Sequence, residues 1–187
     1  MKRLLRKLNR RSGFTLTETL AVVIILLLVS GVVAAGMPVA ANAYTKVVDS
    51  GNAQVLLSTA KIALREELST ATDIETTPVS GKKQLTYYRS ARYGVLAKLS
   101  NSDDGILLEY LKDTKVSGTE EYESYGDDYR RPLVSTAAAT GLKLEYSSIT
   151  YDDANGLFKI EGLTVKKGSQ VLAGDAGGSF LIHLLNP

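Results

Sequence analysis

Three patterns follow one another along the 187-residue chain: an uncharged run from Thr19 to Thr45, a helical apolar stripe through Ala53, Leu57, Ala60, Leu64 and Leu68, and strand-like alternation after Gly81. Together they predict an α+β fold, in which the first half of a long N-terminal helix spans a membrane and the C-terminal half packs on a twisted antiparallel β-sheet. The corresponding organisation is a basic leader at 1–13, a membrane-spanning half of the helix at 14–37 and an amphipathic half at 38–70. A linker at 71–81 and an antiparallel β domain at 82–187 follow.

The leader is defined by charge. Lys2, Arg3, Arg6, Lys7, Arg10 and Arg11 fall within the first 13 residues, which hold no acid. Without those six, 16 basic residues face 20 acidic ones and the formal charge is −4, so the basic isoelectric point belongs to the leader and gives no support to a nucleic-acid role. The chain has no cysteine, which excludes disulfides and thiolate metal sites and leaves stability to burial and hydrogen bonding.

From Leu20 to Met37 the chain is apolar except for Ser30 and glycines. That length matches the roughly 20 residues a helix needs to cross a hydrocarbon core. The cations lie on its N-terminal side, which keeps the leader cytoplasmic and exports the bulk of the chain. A conventional secretory signal is the competing reading, because Ala41-Asn42-Ala43 is a small-x-small pattern preceded by Pro38. Cutting after Ala43 would release a domain beginning at Tyr44. Against it stand an apolar core longer than the usual 7 to 15 residues and the acid Glu18 at its cytoplasmic edge. A carboxylate entering lipid is costly and is normally kept for a partner.

The segment Arg10-Arg11-Ser12-Gly13-Phe14-Thr15-Leu16-Thr17-Glu18, joined directly to the uncharged run, resembles the type IV prepilin signal. That signal is shared by type IV pilins and the pseudopilins of type II secretion and DNA uptake systems. The resemblance implies cleavage after Gly13 by a prepilin peptidase, which also methylates the new amino terminus at Phe14. It further implies a charge pair between that amine and Glu18, within one helix or between neighbours, that docks an incoming subunit. The partners it implies are the peptidase and N-methyltransferase, other pilin subunits and an assembly platform in the membrane. The implied location is a single pass in the cytoplasmic membrane with the N-terminus inside, followed by an extracellular or periplasmic filament. Thr17 stands where the family more often has an aliphatic residue, and the disulfide that many pilins carry near their C-terminus has no counterpart. Two other readings stay open: a secreted or membrane-anchored binding or adhesion domain that uses residues 1–43 for export, and a plain signal-anchored envelope protein.

Beyond the membrane run, the stripe from Ala53 to Leu68 is expected to face the sheet. Tyr44, Val48, Val55 and Ile62 form a second stripe at a spacing close to seven residues, suited either to neighbouring helices or to a broad face wrapped by the domain. Pro38 and Asp49-Ser50-Gly51-Asn52 are the two places where the helix can break, and its end is expected near Thr70.

In the exported domain Val95–Leu99 and Ile106–Leu111 are expected to pair through the turn at 101–105. Leu142, Leu144 and Tyr146 alternate with polar residues ahead of a turn at Asp152-Asp153-Ala154-Asn155-Gly156. Phe158 and Ile160 return, with a phase slip at Gly162 read as a bulge before Leu163 and Val165. Lys167-Gly168-Ser169-Gln170 is a further turn, and Phe180, Ile182 and Leu184 alternate in a last strand.

Nothing points to catalysis. The sole histidine, His183, falls on the polar side of the last strand, and no nucleophile elbow, P-loop or metalloprotease motif is present. The reading is a structural protein with no cofactor and no resident metal. Two stretches have binding character. Glu120, Glu121, Glu123, Asp127 and Asp128, interleaved with tyrosines, offer oxygen ligands for Ca²⁺ or a contact for a partner, without EF-hand order. Lys82, Lys83, Arg89 and Arg92, with Lys98 and three tyrosines, are the groups a nucleic-acid surface uses, but strand alternation favours a charged outer face and nucleic acid is not an expected partner.

Overall fold

A computed structural model describes residues 15–119, 121–139 and 141–185, in two compact units, Met1–Val47 and Val48–Pro187. One 53-residue helix, α1 (Leu16–Leu68), carries both the apolar run and the amphipathic stripe. Its described residues within the first unit are all exposed, and it is long and apolar enough to cross a membrane.

Neither candidate break interrupts α1. Pro38 removes a donor and costs about 3 kcal/mol, but the helix runs on through it into Ala40 and Ala41, which are strong helix formers. Gly51 costs about 1 kcal/mol relative to alanine. Burial of Leu56 and Leu57 immediately after it offsets that, each leucine contributing roughly 1.5–3 kcal/mol. The α ladder runs to its end, with Ser69 N–H donating to Arg65 O at 2.9 Å, and then tightens to a three-residue turn, with Ala71 N–H donating to Leu68 O at 3.2 Å.

In the second unit a nine-stranded antiparallel sheet runs β12 (Ser179–His183), β9 (Leu157–Glu161), β8 (Ser148–Asp152), β2 (Lys82–Arg89), β3 (Leu96–Ser102), β4 (Gly105–Lys115), β5 (Tyr122–Ser124). β1 (Thr72–Val79) adds to β2, and β6 (Arg130–Ser135) pairs β4. A separate three-stranded sheet contains β11 (Gln170–Gly174), β10 (Thr164–Lys167) and β7 (Leu142–Glu145). The stripe Ala53, Leu57, Ala60, Leu64, Leu68 joins Tyr88, Ile106, Phe158, Ile160 and Ile182 of the large sheet and Leu144 and Val165 of the small one in a single core. The expected packing of helix on antiparallel sheet is therefore present.

Three expectations need correction. Residues 71–81 are no linker: β1 occupies them and turns into β2 through Ser80 (φ 51) and Gly81 (φ 79), positive at both central positions as a tight hairpin of primed type requires. Its Thr-rich, Pro-containing sequence hides a strand because β1 buries none of its residues fully. The run from Leu142 to Asp152 is also not one strand. It breaks at Tyr146-Ser147, so that β7 pairs β10 in the small sheet while β8 pairs β9 in the large one. Gly162, finally, is the corner at which the chain leaves β9 for β10 rather than a bulge within one strand. Its φ is +66° and a Cβ there would lie 2.1 Å from Ser147 Oγ, so only glycine fits. Asn101 secures the companion corner, its side chain bonding both the carbonyl and the amide of Tyr146, at 2.8 and 3.1 Å.

Candidate functional site

At the N-terminal end of α1, Thr15 precedes the helix and Glu18 occupies its first turn. The Glu18 N–H donates to Thr15 O at 3.0 Å and lies 3.3 Å from Thr15 Oγ1, and Thr19 Oγ1 donates to Leu16 O at 2.8 Å. Thr15-x-x-Glu18 is thus the spacing of a capping box, a local signal that the sequence reading passed over. The Glu18 side chain is exposed, and an acid at this end of a helix is favoured by the dipole. Gly13 and Phe14, the expected cleavage and methylation positions, lie outside the described residues.

The two stripes of α1 end up in opposite environments. Ala53, Ala60, Leu64 and Leu68 are fully buried, whereas Tyr44 stays 73 %, Val55 68 % and Ile62 58 % exposed, and Val48 38 %. The second unit therefore does not wrap Val48, Val55 and Ile62, the part of the second stripe that it contains. Glu67, the penultimate residue of the helix, is the buried acid of α1; it accepts a hydrogen bond from Tyr88 OH at 3.2 Å, and burial followed by that carboxylate pushes the Tyr88 phenol well up.

The acidic stretch forms an excursion between two strands that share one edge of β4. β5 and β6 both pair β4, and Asp127–Tyr129 makes a short 3₁₀ turn between them. Its carboxylates disperse: Glu123 pairs with Lys112 at 3.1 Å and Asp127 with Arg130 at 2.8 Å, while Glu121 contributes its carbonyl to Val116 N–H. Asp128 is exposed on the turn and Glu120 lies outside the described residues. Among the described residues no three acids or histidines gather as a metal-holding group. Tyr125 and Tyr129 stack at 5.2 Å on the outside of this excursion.

The basic stretch meets acids from distant parts of the chain. Lys82 binds Glu161 at 3.2 Å and Lys83 binds Asp153. Arg89 joins three elements, with Nε on Asp73 at 2.6 Å, Nη2 on Asp113 at 2.9 Å and Nη1 on the Gly94 carbonyl at 3.2 Å. These contacts engage all three of its nitrogens and make it a staple rather than a free cation. Arg92 sits over the Tyr93 ring at 5.8 Å, and Lys98 over the Tyr87 ring at 5.9 Å. His183 is exposed at the end of β12, on the side away from buried Ile182. Comparison of the chain with protein-family models, with curated proteins and with solved structures finds no match.

Proposed function

We propose that the chain is the precursor of a type IV pilin or pseudopilin, a structural subunit processed between Gly13 and Phe14 and assembled into a filament through its N-terminal helix. The observation that carries this reading is Glu18, an exposed carboxylate in the first turn of a helix whose following residues are uncharged as far as Thr45. In lipid such a group needs a neutralising partner. The amine of Phe14, one helical turn upstream, is the partner that processing would create. The bare second stripe supports the same reading, since a helix that buries one side in its own domain and leaves another apolar side open suits packing among like helices. The assignment implies residence in the cytoplasmic membrane with the N-terminus inside, contact with a prepilin peptidase and an assembly platform, and no enzymatic activity.

One observation favours the reading of residues 1–43 as an export signal: the second compact unit begins at Val48, just beyond Ala43. Against it, a cut after Ala43 would fall within α1. Substitution tests the proposal. Gly13→Leu should block maturation and leave the precursor in the membrane, and Glu18→Ala should leave maturation intact but abolish incorporation into filaments. Normal processing of Gly13→Leu, read by gel mobility and mass, would count against the assignment.

A further inference from the structure

We infer that the cleft where strands β3 and β8 part on the large sheet is a binding site for a small organic carboxylate. β2 uses one edge for β1 along its length, while its other edge is shared: Tyr88 and Arg89 pair β3, and Gln84 pairs β8. Between those contacts β3 and β8 diverge and leave a cavity of about 240 Å³, the size of a ligand smaller than a drug. Leu85, Leu99, Ile149 and Tyr146 supply apolar wall, and Gln84, Thr86 and Lys98 line the same space. The Asn101 bridge to Tyr146 joins β3 to the corner before β8 and fixes the separation of the two strands.

The charge at this cleft is unusual for the domain. Among the described residues, seven lysines of the strands are ion-paired, from Lys82 to Lys167. Lys98, the only charged residue lining the cleft, has no such pair. Glu109 stands directly opposite it in the β3–β4 register, but bonds Arg130 at 3.2 Å instead. The Gln84 side-chain amide makes no hydrogen bond within the described residues, and the Thr86 hydroxyl is linked to that of Thr77 at 2.7 Å. A half-buried lysine whose ammonium lies 5.9 Å from the Tyr87 ring but has no carboxylate, with an idle amide and a hydroxyl pair beside it and an apolar wall, matches a carboxylate carried on a compact apolar body: the charge-assisted bond supplies orientation and the wall supplies affinity.

The test uses the full chain in detergent micelles, with backbone amide NMR as readout and two probes of equal shape, benzoate and benzamide. Benzoate is expected to shift the amides of Gln84–Thr86 and Lys98–Leu99 saturably at millimolar concentration, with benzamide weaker by about tenfold, the worth of one charge-assisted bond. Lys98→Met should remove that preference. Gln84→Glu, which places a carboxylate beside the ammonium, should abolish benzoate binding while the protein stays folded. Lys112→Met, at an ion-paired lysine away from the cleft, should leave benzoate binding unchanged. The inference is overturned if benzoate gives no saturable shift up to about 10 mM, if Lys98→Met retains the preference, or if inorganic phosphate shifts the same amides and benzoate does not.

Discussion

Two apolar stripes run along opposite sides of α1, and each could face a core until the fold is known. The one through Ala53, Leu57, Ala60, Leu64 and Leu68 is closed off by two sheets. The one through Tyr44, Val48, Val55 and Ile62 is bare. Hydrophobicity alone does not separate them. What separates them is size: alanines alternate with leucines on the buried side, which lets the sheets approach the helix closely, whereas tyrosine and β-branched residues on the other side project without a partner. Covered apolar surface stabilises the subunit, and uncovered apolar surface is available for association.

Leu64→Ala sharpens this contrast most. Its side chain is fully buried, so truncation should cost about 2–5 kcal/mol in chemical denaturation of the detergent-solubilised chain. Next in size is Gly105→Ala. Its φ is +114° and a Cβ would meet the Val134 carbonyl oxygen at 2.1 Å, so the β3–β4 turn and its contact with β6 must move; a loss of about 1–3 kcal/mol is expected. The same change at Gly81, where nothing lies within 4 Å, should cost less. Tyr88→Phe comes close behind. It strips buried Glu67 of its hydrogen bond and should cost about 1–3 kcal/mol.

A smaller effect is expected in acid. Lys159 and then Lys82 hold the Glu161 carboxyl down at about 2, below its ordinary 4.5. A depressed folded-state pKa contributes stability that is present above the ordinary value and is lost as pH falls from about 4.5 through about 2. Glu161→Gln should flatten that limb of a stability-versus-pH curve. Smallest of all should be Val55→Ser with Ile62→Ser: on the bare stripe each change should alter monomer stability by no more than about 0.5 kcal/mol. A large loss from this pair would erase the distinction between the stripes.

The helix, its buried stripe and the hairpin turns at Asp103-Asp104 and Gly168-Ser169 were legible because they are local: periodicity and turn chemistry act within a few residues. β1 was not, since an edge strand with no fully buried residue shows no alternation. The division into two sheets was hidden for another reason. The apolar rhythm slips at both corners, from Tyr146 to Ile149 and from Ile160 to Leu163, but such a slip reads equally as a bulge within one strand, and only long-range pairing reveals the switch. The ion pairs of the basic stretch lay equally beyond reach, because Asp153 and Glu161 lie 70 and 79 residues along the chain from their lysines. At the N-terminus the residue order Gly13 to Glu18 carried the functional reading, while Thr15 caps the helix through the Glu18 backbone N–H and leaves the carboxylate exposed.

Intact-mass and N-terminal peptide mass spectrometry of the native membrane-associated protein tests the central claim most directly. The account predicts a mature chain that begins at Phe14 with an N-methyl group. A chain that begins at Met1 or at Tyr44 would contradict it.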